Sequence, residues 1–327
     1  MAEQRYSGPM NKTVQSAITL PERRSNRPVT FAHRIEYAAV RGLFGLFRLI
    51  GLDASSAMAG KFCRYVGPLI KSVSKRGTKN LRATFPDWSD EKINNILRDV
   101  WENLGRTVGE FAHLEKFTQS PFKNRIIIYG EENIQPLLDA DKRVIFISGH
   151  FANWELMPLA LHQRGTDYSL VYRAANNPLV DELIINERAK VMSHKQIPKG
   201  VNGARAFIDT LKSGCSLAIL ADQKFTAGIR VPFIGRDAMT TPVPARLAIK
   251  FGIPIVPVRI TREKNGEFSI TIKKPMTPQL TGDLHADAAA LTVRINQSLE
   301  EDVLANPGQW LWLHQRWKIR QPTEPKN

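Results

Sequence analysis

Two cysteines, Cys63 and Cys215, are all that 327 residues contain, and they lie far apart. Neither has a His or Cys at ligand spacing, which argues against a disulfide framework or structural zinc site and fits a reducing compartment. No apolar run approaches the ~20 residues that a membrane-spanning helix needs. Residues 1–30 are polar and charged, without the apolar stretch of a cleavable signal peptide. A Gly-x-Ser-x-Gly elbow is missing, which speaks against a serine hydrolase. Helix-turn-helix, RNA-recognition and zinc signatures are missing too, so nucleic acid is not the expected partner. Negative charge is scarce: 31 Asp/Glu stand against 46 Lys/Arg, for a net +15. Residues 1–100 carry 17 Lys/Arg against 8 Asp/Glu, so +9 of that excess falls in under a third of the chain. Such a field suits an anionic partner, such as lipid headgroups or an acidic carrier protein.

The pattern along the chain divides it in three. Residues 1–30 read as a polar leader. Residues 31–120 read as helical. From about Ala32 to Gly51, Tyr37, Val40, Leu43, Phe44, Phe47 and Ile50 recur at helical spacing, while Arg34, Arg41 and Arg48 repeat every seven residues on another side. That is the composition of a helix lying in a membrane interface, and equally of a helix packed on a domain with solvated arginines. Further helices are expected near 54–72 and 89–116. Residues 121–327 alternate strand and helix patterns. Strands are expected at Ile126–Tyr129, Arg143–Ser148, Tyr168–Tyr172, Ser216–Leu220, Ile255–Ile260 and Glu267–Ile272; helices are expected at 153–163, 178–195, 202–213, 243–251 and 286–305. The fold class is therefore α/β, with a mixed, mostly parallel central sheet flanked by helices and an N-terminal helical, membrane-associating region.

The most informative stretch is Arg143-Val-Ile-Phe-Ile-Ser-Gly-His150-Phe-Ala-Asn-Trp-Glu155. A buried-type strand ends at Gly149, a histidine follows, and a carboxylate comes five residues later. Sheet ends of this kind are where α/β proteins place their chemistry, and an imidazole oriented by an acid is a general base near neutral pH. With seven histidines among 31 acids, about one His-x4-acid match is expected by chance, and two occur: His150/Glu155 and His162/Asp167. Positions five apart on one helix do not face each other. The pair can meet only with the histidine in a turn and the acid in the helix, as at His150; His162 reads as a structural histidine. Arg173 stands just past another strand end, able to hold a phosphate or polarise a carbonyl, or to pair with Asp181 or Glu182. Asp222 and Gln223 end a third strand; Asp222 could support the histidine, bind a substrate hydroxyl or make an Asx-turn. The run Gly228–Gly235 with Thr240-Thr-Pro242 reads as a loop and helix start whose amides could receive an anion. The C-terminal Trp310, Trp312, His314, Arg316 and Trp317 could form a headgroup belt, a stacking surface or a packed segment.

An ordered set of these motifs resembles the bacterial lipid A biosynthesis acyltransferases, the late acyltransferases of the lysophospholipid acyltransferase superfamily. The set comprises Trp101-Glu-Asn-Leu-Gly-Arg106 with Glu110; Gly149-His-Phe-Ala-Asn-Trp-Glu155; Val171-Tyr-Arg173 with Asn177-Pro178 and Arg188; Asp222-Gln223 with Phe233-Ile-Gly235 and Thr241-Pro242; and Pro307-Gly-Gln-Trp310 through Trp317. It spans about residues 35–320. Glycerolipid acyltransferases of the superfamily usually have Asn before the histidine and a Phe-Pro-Glu-Gly-Thr-like block, so Gly149 and Asp222-Gln223 favour the lipid A branch. Ala152 stands where the family often has glycine. The resemblance implies an enzyme at the cytoplasmic face of the bacterial inner membrane. It would move a fatty acyl chain from acyl-acyl carrier protein to a hydroxyl of a lipid A precursor of the Kdo-lipid IVA type. His150 would be the base and Glu155 its partner, with Arg173, Asn177, Arg188, Asp222 and Gln223 in the substrate site. No metal, cofactor or covalent intermediate is implied; acyl carrier protein, the lipid A precursor and anionic lipids would be the partners. The same motif would serve another membrane acceptor, an aminolipid or glycosylated phospholipid. A non-catalytic basic protein remains the reading from a different class.

Overall fold

The computed structural model describes residues 28–317. The polar leader therefore lies, up to residue 27, outside the described residues. Thr30 caps the first helix, α1 (Phe31–Ile50), its hydroxyl accepting from the His33 amide. Next come α2 (Leu52–Val66), a 3-10 turn at Gly67–Leu69, α3 (Lys71–Thr84) and α4 (Asp90–Phe111). The single helix expected over 54–72 is thus two, broken at Gly67-Pro68 because proline supplies no amide to a continuing helix. Helices α2 and α4 touch backbone to backbone. A Cβ on Gly105 would sit 2.2 Å from the Ala59 carbonyl oxygen, and one on Gly109 2.5 Å from that of Ser55, so only glycine permits this approach.

A seven-stranded sheet forms the centre. Its strands are β1 (Ile126–Tyr129), β2 (Ile145–Ser148), β3 (Tyr168–Tyr172), β4 (Gln196–Pro198), β5 (Ser216–Leu220), β8 (Ile255–Arg262) and β9 (Phe268–Ile272), in the order β1-β9-β8-β2-β5-β3-β4. The run from β8 to β4 is parallel, while β9 pairs antiparallel with β8 and carries β1 parallel to itself. Strands β2 and β3 are buried at every position, as expected of parallel strands covered on both faces. Flanking helices include α6 (Leu156–Gln163), α7 (Pro178–Ala189), α8 (Val201–Lys212), α9 (Val243–Phe251) and α10 (Leu284–Ala305), with a short α5 (Gln135–Asp139). One core joins Leu97, Val100 and Trp101 of α4 to Ile145 and Ile147 of β2 and to Trp310 and Trp312. The N-terminal helices therefore share a core with the sheet.

Two expectations change, and one open alternative is decided. The helix expected over 178–195 ends at Ala189, and edge strand β4 follows it. Residues 229–240 form an antiparallel hairpin, β6 (Ile229–Phe233) and β7 (Arg236–Thr240), where a loop was expected; the helix start expected at Thr240-Thr-Pro242 is found, with α9 beginning at Val243. The hairpin turn, Ile234-Gly235, has positive φ at both residues (48° and 65°), the geometry that matches strand twist. On α1, the stripe read as facing either lipid or the domain takes the second course: Phe44 and Phe47 are buried, with Val40 and Ile50 packed beside them. A different apolar side is exposed, comprising Phe31, Ile35, Leu46 and Leu49, with Leu43 partly so, and α2 adds Met58, Phe62 and Tyr65. No helix among the described residues is long and apolar enough to cross a membrane.

Candidate active site

Four adjacent strands, β2, β5, β3 and β4, deliver polar residues to one edge of the sheet: His150, Asp222 with Gln223, Arg173 and Lys199. Parallel register aligns Ser148 with Leu220, and Tyr172 with Pro198, so the residues just beyond them emerge side by side.

His150 and Asp222 make the central contact. The imidazole Nδ1 lies 2.7 Å from Asp222 Oδ1, and the His150 backbone N–H donates to Oδ2 at 2.9 Å. Asp222 is fully buried, while the imidazole keeps 16% of its surface open. An ionised carboxylate only accepts, so Nδ1 carries the proton and Nε2 the lone pair. Burial pushes the Asp222 carboxyl up, but the charge and hydrogen bonds of His150, with the charge of His314 behind them, hold it below the usual carboxylate range. Gly149 is required by this approach: a Cβ there would meet the Phe151 ring at 2.6 Å and the Asp222 side chain at 3.2 Å.

Glu155 is elsewhere. Its carboxylate takes two hydrogen bonds from Arg188, at 2.8 Å from Nε and 2.6 Å from the terminal nitrogen, and a third from the Trp154 indole at 3.1 Å. Both members of this ion pair are largely enclosed. Burial alone would lower the Arg188 pKa, yet the neighbouring Glu155 raises it. The expected His150–Glu155 pair is thus replaced by His150–Asp222 and Glu155–Arg188. The reason is local: Glu155 sits at the start of α6, turned towards α7, while Asp222 emerges from the strand next to that of His150.

The loop between them is clamped. Ala152 adopts φ 44°, a left-handed conformation that costs a non-glycine residue about 1 kcal/mol or more. So the turn sequence reasoning assigned to Gly149 has its left-handed residue at Ala152. The Ala152 carbonyl accepts from Asn103 Nδ2 (3.1 Å) and Thr107 Oγ1 (2.8 Å), and its amide donates to the Gln309 carbonyl (2.9 Å). Asn153 donates to Glu110 at 2.9 Å, and Ser56 and Arg262 bind the same buried carboxylate. Asn103, Thr107 and Glu110 recur at four- and three-residue spacing, one face of α4. That stripe of buried polar residues on α4 was legible in the sequence but had no role assigned.

The remaining expected site residues divide. Gln223 reaches the base, its amide nitrogen 3.3 Å from His150 Nε2. Arg173 is exposed and makes no ion pair among the described residues; Asp181, its alternative partner, instead accepts from the Ala175 amide and Tyr172 hydroxyl. Asn177 is spent on architecture. It caps α7 through the Leu179 amide and donates to the His33 carbonyl and Glu36 carboxylate of α1. Lys199, unmarked in the sequence, donates to the Leu220 carbonyl at 3.1 Å. Trp310 and Trp312 are buried at 1% and 0% exposure, which excludes both the headgroup belt and the stacking surface for these two rings. A separate cavity of about 580 Å³ lies by Asp53, Arg106, Glu110 and Arg262; its lining includes neither His150 nor Asp222.

The family model for bacterial lipid A biosynthesis acyltransferases matches residues 27–319. The chain belongs to that family. A lipid A biosynthesis acyltransferase 2 of Shigella flexneri is 23% identical over 267 residues, covering 81% of this chain and 83% of the relative. A lipid A biosynthesis lauroyltransferase of Escherichia coli is 25% identical over 264 residues, 78% and 83% of the two chains. A phosphatidylinositol mannoside acyltransferase of Mycobacterium tuberculosis is 21% identical over 223 residues, 66% and 68%. The protein is an acyltransferase.

Proposed function

We propose that the protein transfers a fatty acyl group from acyl-acyl carrier protein to a hydroxyl of a lipid A precursor of the Kdo-lipid IVA type. The observation that carries this is the His150 imidazole, bound through Nδ1 to a buried carboxylate while its side chain stays 16% exposed. In this mechanism Nε2 takes the acceptor hydroxyl proton as its oxygen attacks the thioester carbonyl carbon. The tetrahedral intermediate collapses, the C–S bond breaks, and the imidazolium returns the proton to the carrier thiol. Acyl transfer is direct, with no enzyme ester. The Gln223 amide occupies the Nε2 lone pair, so the acceptor hydroxyl takes its place on binding. Arg173 and Lys199, on neighbouring strand ends, supply positive charge for the developing oxyanion or for an anionic group of the acceptor. Glu155, Arg188 and Asn177 act by shaping the site and not by touching substrate.

The acceptor lipid places the enzyme at the cytoplasmic face of the inner membrane. The exposed apolar side chains of α1 and α2, with Arg34, Arg41 and Lys61 nearby in sequence, support an interfacial mode of attachment. Offering the purified protein a panel of acyl-acyl carrier protein thioesters with the lipid A precursor tests the reading directly. Acylated product from wild type and none from His150→Ala is expected; equal turnover by both removes His150 as the base. The similarity to a phosphatidylinositol mannoside acyltransferase favours a glycosylated phospholipid as the second acceptor class. Mass spectrometry of lipid A from a deletion strain separates the two, since unchanged acyl number and chain length point to the second.

A further inference from the structure

We infer that Trp310 is a positioning residue for the His150 base, acting through the second oxygen of Asp222; this rests on the reading of His150 as the base. The Asp222 carboxylate is 0% exposed, so each lone pair left without a donor carries a desolvation penalty. Oδ1 is used by His150 Nδ1. Among the described residues Oδ2 receives two donors, the His150 amide at 2.9 Å and the Trp310 indole Nε1 at 2.8 Å. An aspartate χ2 is a soft torsion with a broad well. Two donors converging on Oδ2 hold the carboxylate plane, and hence aim Oδ1 at the imidazole.

The indole can do this because it is itself immobilised. It packs edge-on against Trp312 (4.8 Å between centroids) and His314 (5.0 Å), with Phe233 of the hairpin at 5.7 Å. Its backbone runs beside the catalytic loop: Trp310 bridges Phe151, and the Leu311 amide donates to the His150 carbonyl at 3.2 Å. One C-terminal strip thus fixes both the main chain carrying the base and the acid orienting it. Phenylalanine would fill the same apolar pocket but could not donate, which separates packing from positioning.

The test is Trp310→Phe, read by the NMR titration of His150 in the substrate-free protein and by steady-state kinetics. Losing a donor leaves the carboxylate more basic and strengthens its hold on the imidazolium. The His150 midpoint is therefore expected to rise by roughly half a unit or more, with kcat falling roughly 10- to 100-fold and KM within about twofold. A midpoint equal to or below that of wild type overturns the proposal, whatever happens to activity. Should the variant fail to fold, the wild-type protein still decides: the Trp310 indole N–H resonance must titrate with the same midpoint as His150, and an indole signal indifferent to that titration overturns it. Neither titration uses substrate, so failure of the proposed acyl transfer is seen separately, in the turnover assay.

Discussion

Two buried carboxylates flank the loop that carries His150, and they do opposite things. Glu155, five residues along the chain, is locked to Arg188 in a closed pair. Asp222, 72 residues away, meets an imidazole that stays 16% exposed and whose second nitrogen lies 3.3 Å from the Gln223 amide. A guanidinium has no lone pair to offer, so its pair can only hold structure, whereas an imidazole has a second nitrogen, here met by the Gln223 amide, that can exchange a proton. Proximity along the chain selected the first; strand order selected the second.

Activity should break this comparison most sharply. Asp222→Asn removes the charge that stabilises the imidazolium and leaves the tautomer unfixed, so turnover should fall roughly 10²- to 10⁴-fold. Glu155→Gln, which keeps shape and much of the hydrogen bonding, should fall far less. Single-turnover assays with one acyl-acyl carrier protein compare them directly; a larger loss in Glu155→Gln would return the role of partner to Glu155.

Stability should invert the order. Glu155→Ala strands the Arg188 guanidinium in an enclosed site, and breaking such a pair costs about 3–5 kcal/mol. Removing both charges in Glu155→Ala/Arg188→Ala should recover part of that, because no buried charge is left uncompensated. Urea unfolding of the singles and the double measures the coupling; strictly additive losses would mean the pair contributes packing alone.

What the sequence revealed and what it hid follow the same division between local and distant. The strands at Ile145–Ser148, Tyr168–Tyr172 and Ser216–Leu220 were legible as apolar β-branched runs, and with them the edge that carries His150, Arg173 and Asp222. Three-residue β4 lay hidden, because Gln196-Ile-Pro198 has no periodicity to read. The hairpin was missed since its strands carry Arg230, Pro232 and Arg236, which look like loop. Helical spacing found one apolar stripe on α1 but could not say whether the protein or a membrane covers it. Asp222 was visible as a candidate partner, yet pairing depends on β2 and β5 being neighbours, and no spacing rule carries that.

Acid should expose a third difference, between the partly open imidazole and the enclosed one behind it. Burial lowers the His314 pKa from 6.5 to about 4, offset in part by the Asp222 charge. The folded state thus keeps this ring neutral where the unfolded chain would protonate it. Its contribution is complete above about pH 6.5 and is lost as pH falls towards 4, by at most about 3 kcal/mol. Asp222, held low, loses its own contribution only at still lower pH. Unfolding free energies measured from pH 7 to 4 should slope downwards in wild type and flatten in His314→Phe; equal slopes would assign the acid sensitivity elsewhere.

The smallest expected effect concerns the loop joining His150 to Glu155. Ala152→Gly relieves a left-handed φ worth about 1 kcal/mol, but deletes a fully buried methyl and frees the unfolded chain, each costing a similar amount. The net change should stay within about 1 kcal/mol, a few degrees or less in Tm. Turnover should hold to within a small factor, because Asn103, Thr107 and Gln309 fix the loop through backbone atoms that glycine retains. A large loss of turnover at unchanged Tm would show instead that the methyl itself sets the orientation of His150, and that the clamp around residue 152 is tighter than its hydrogen bonds require.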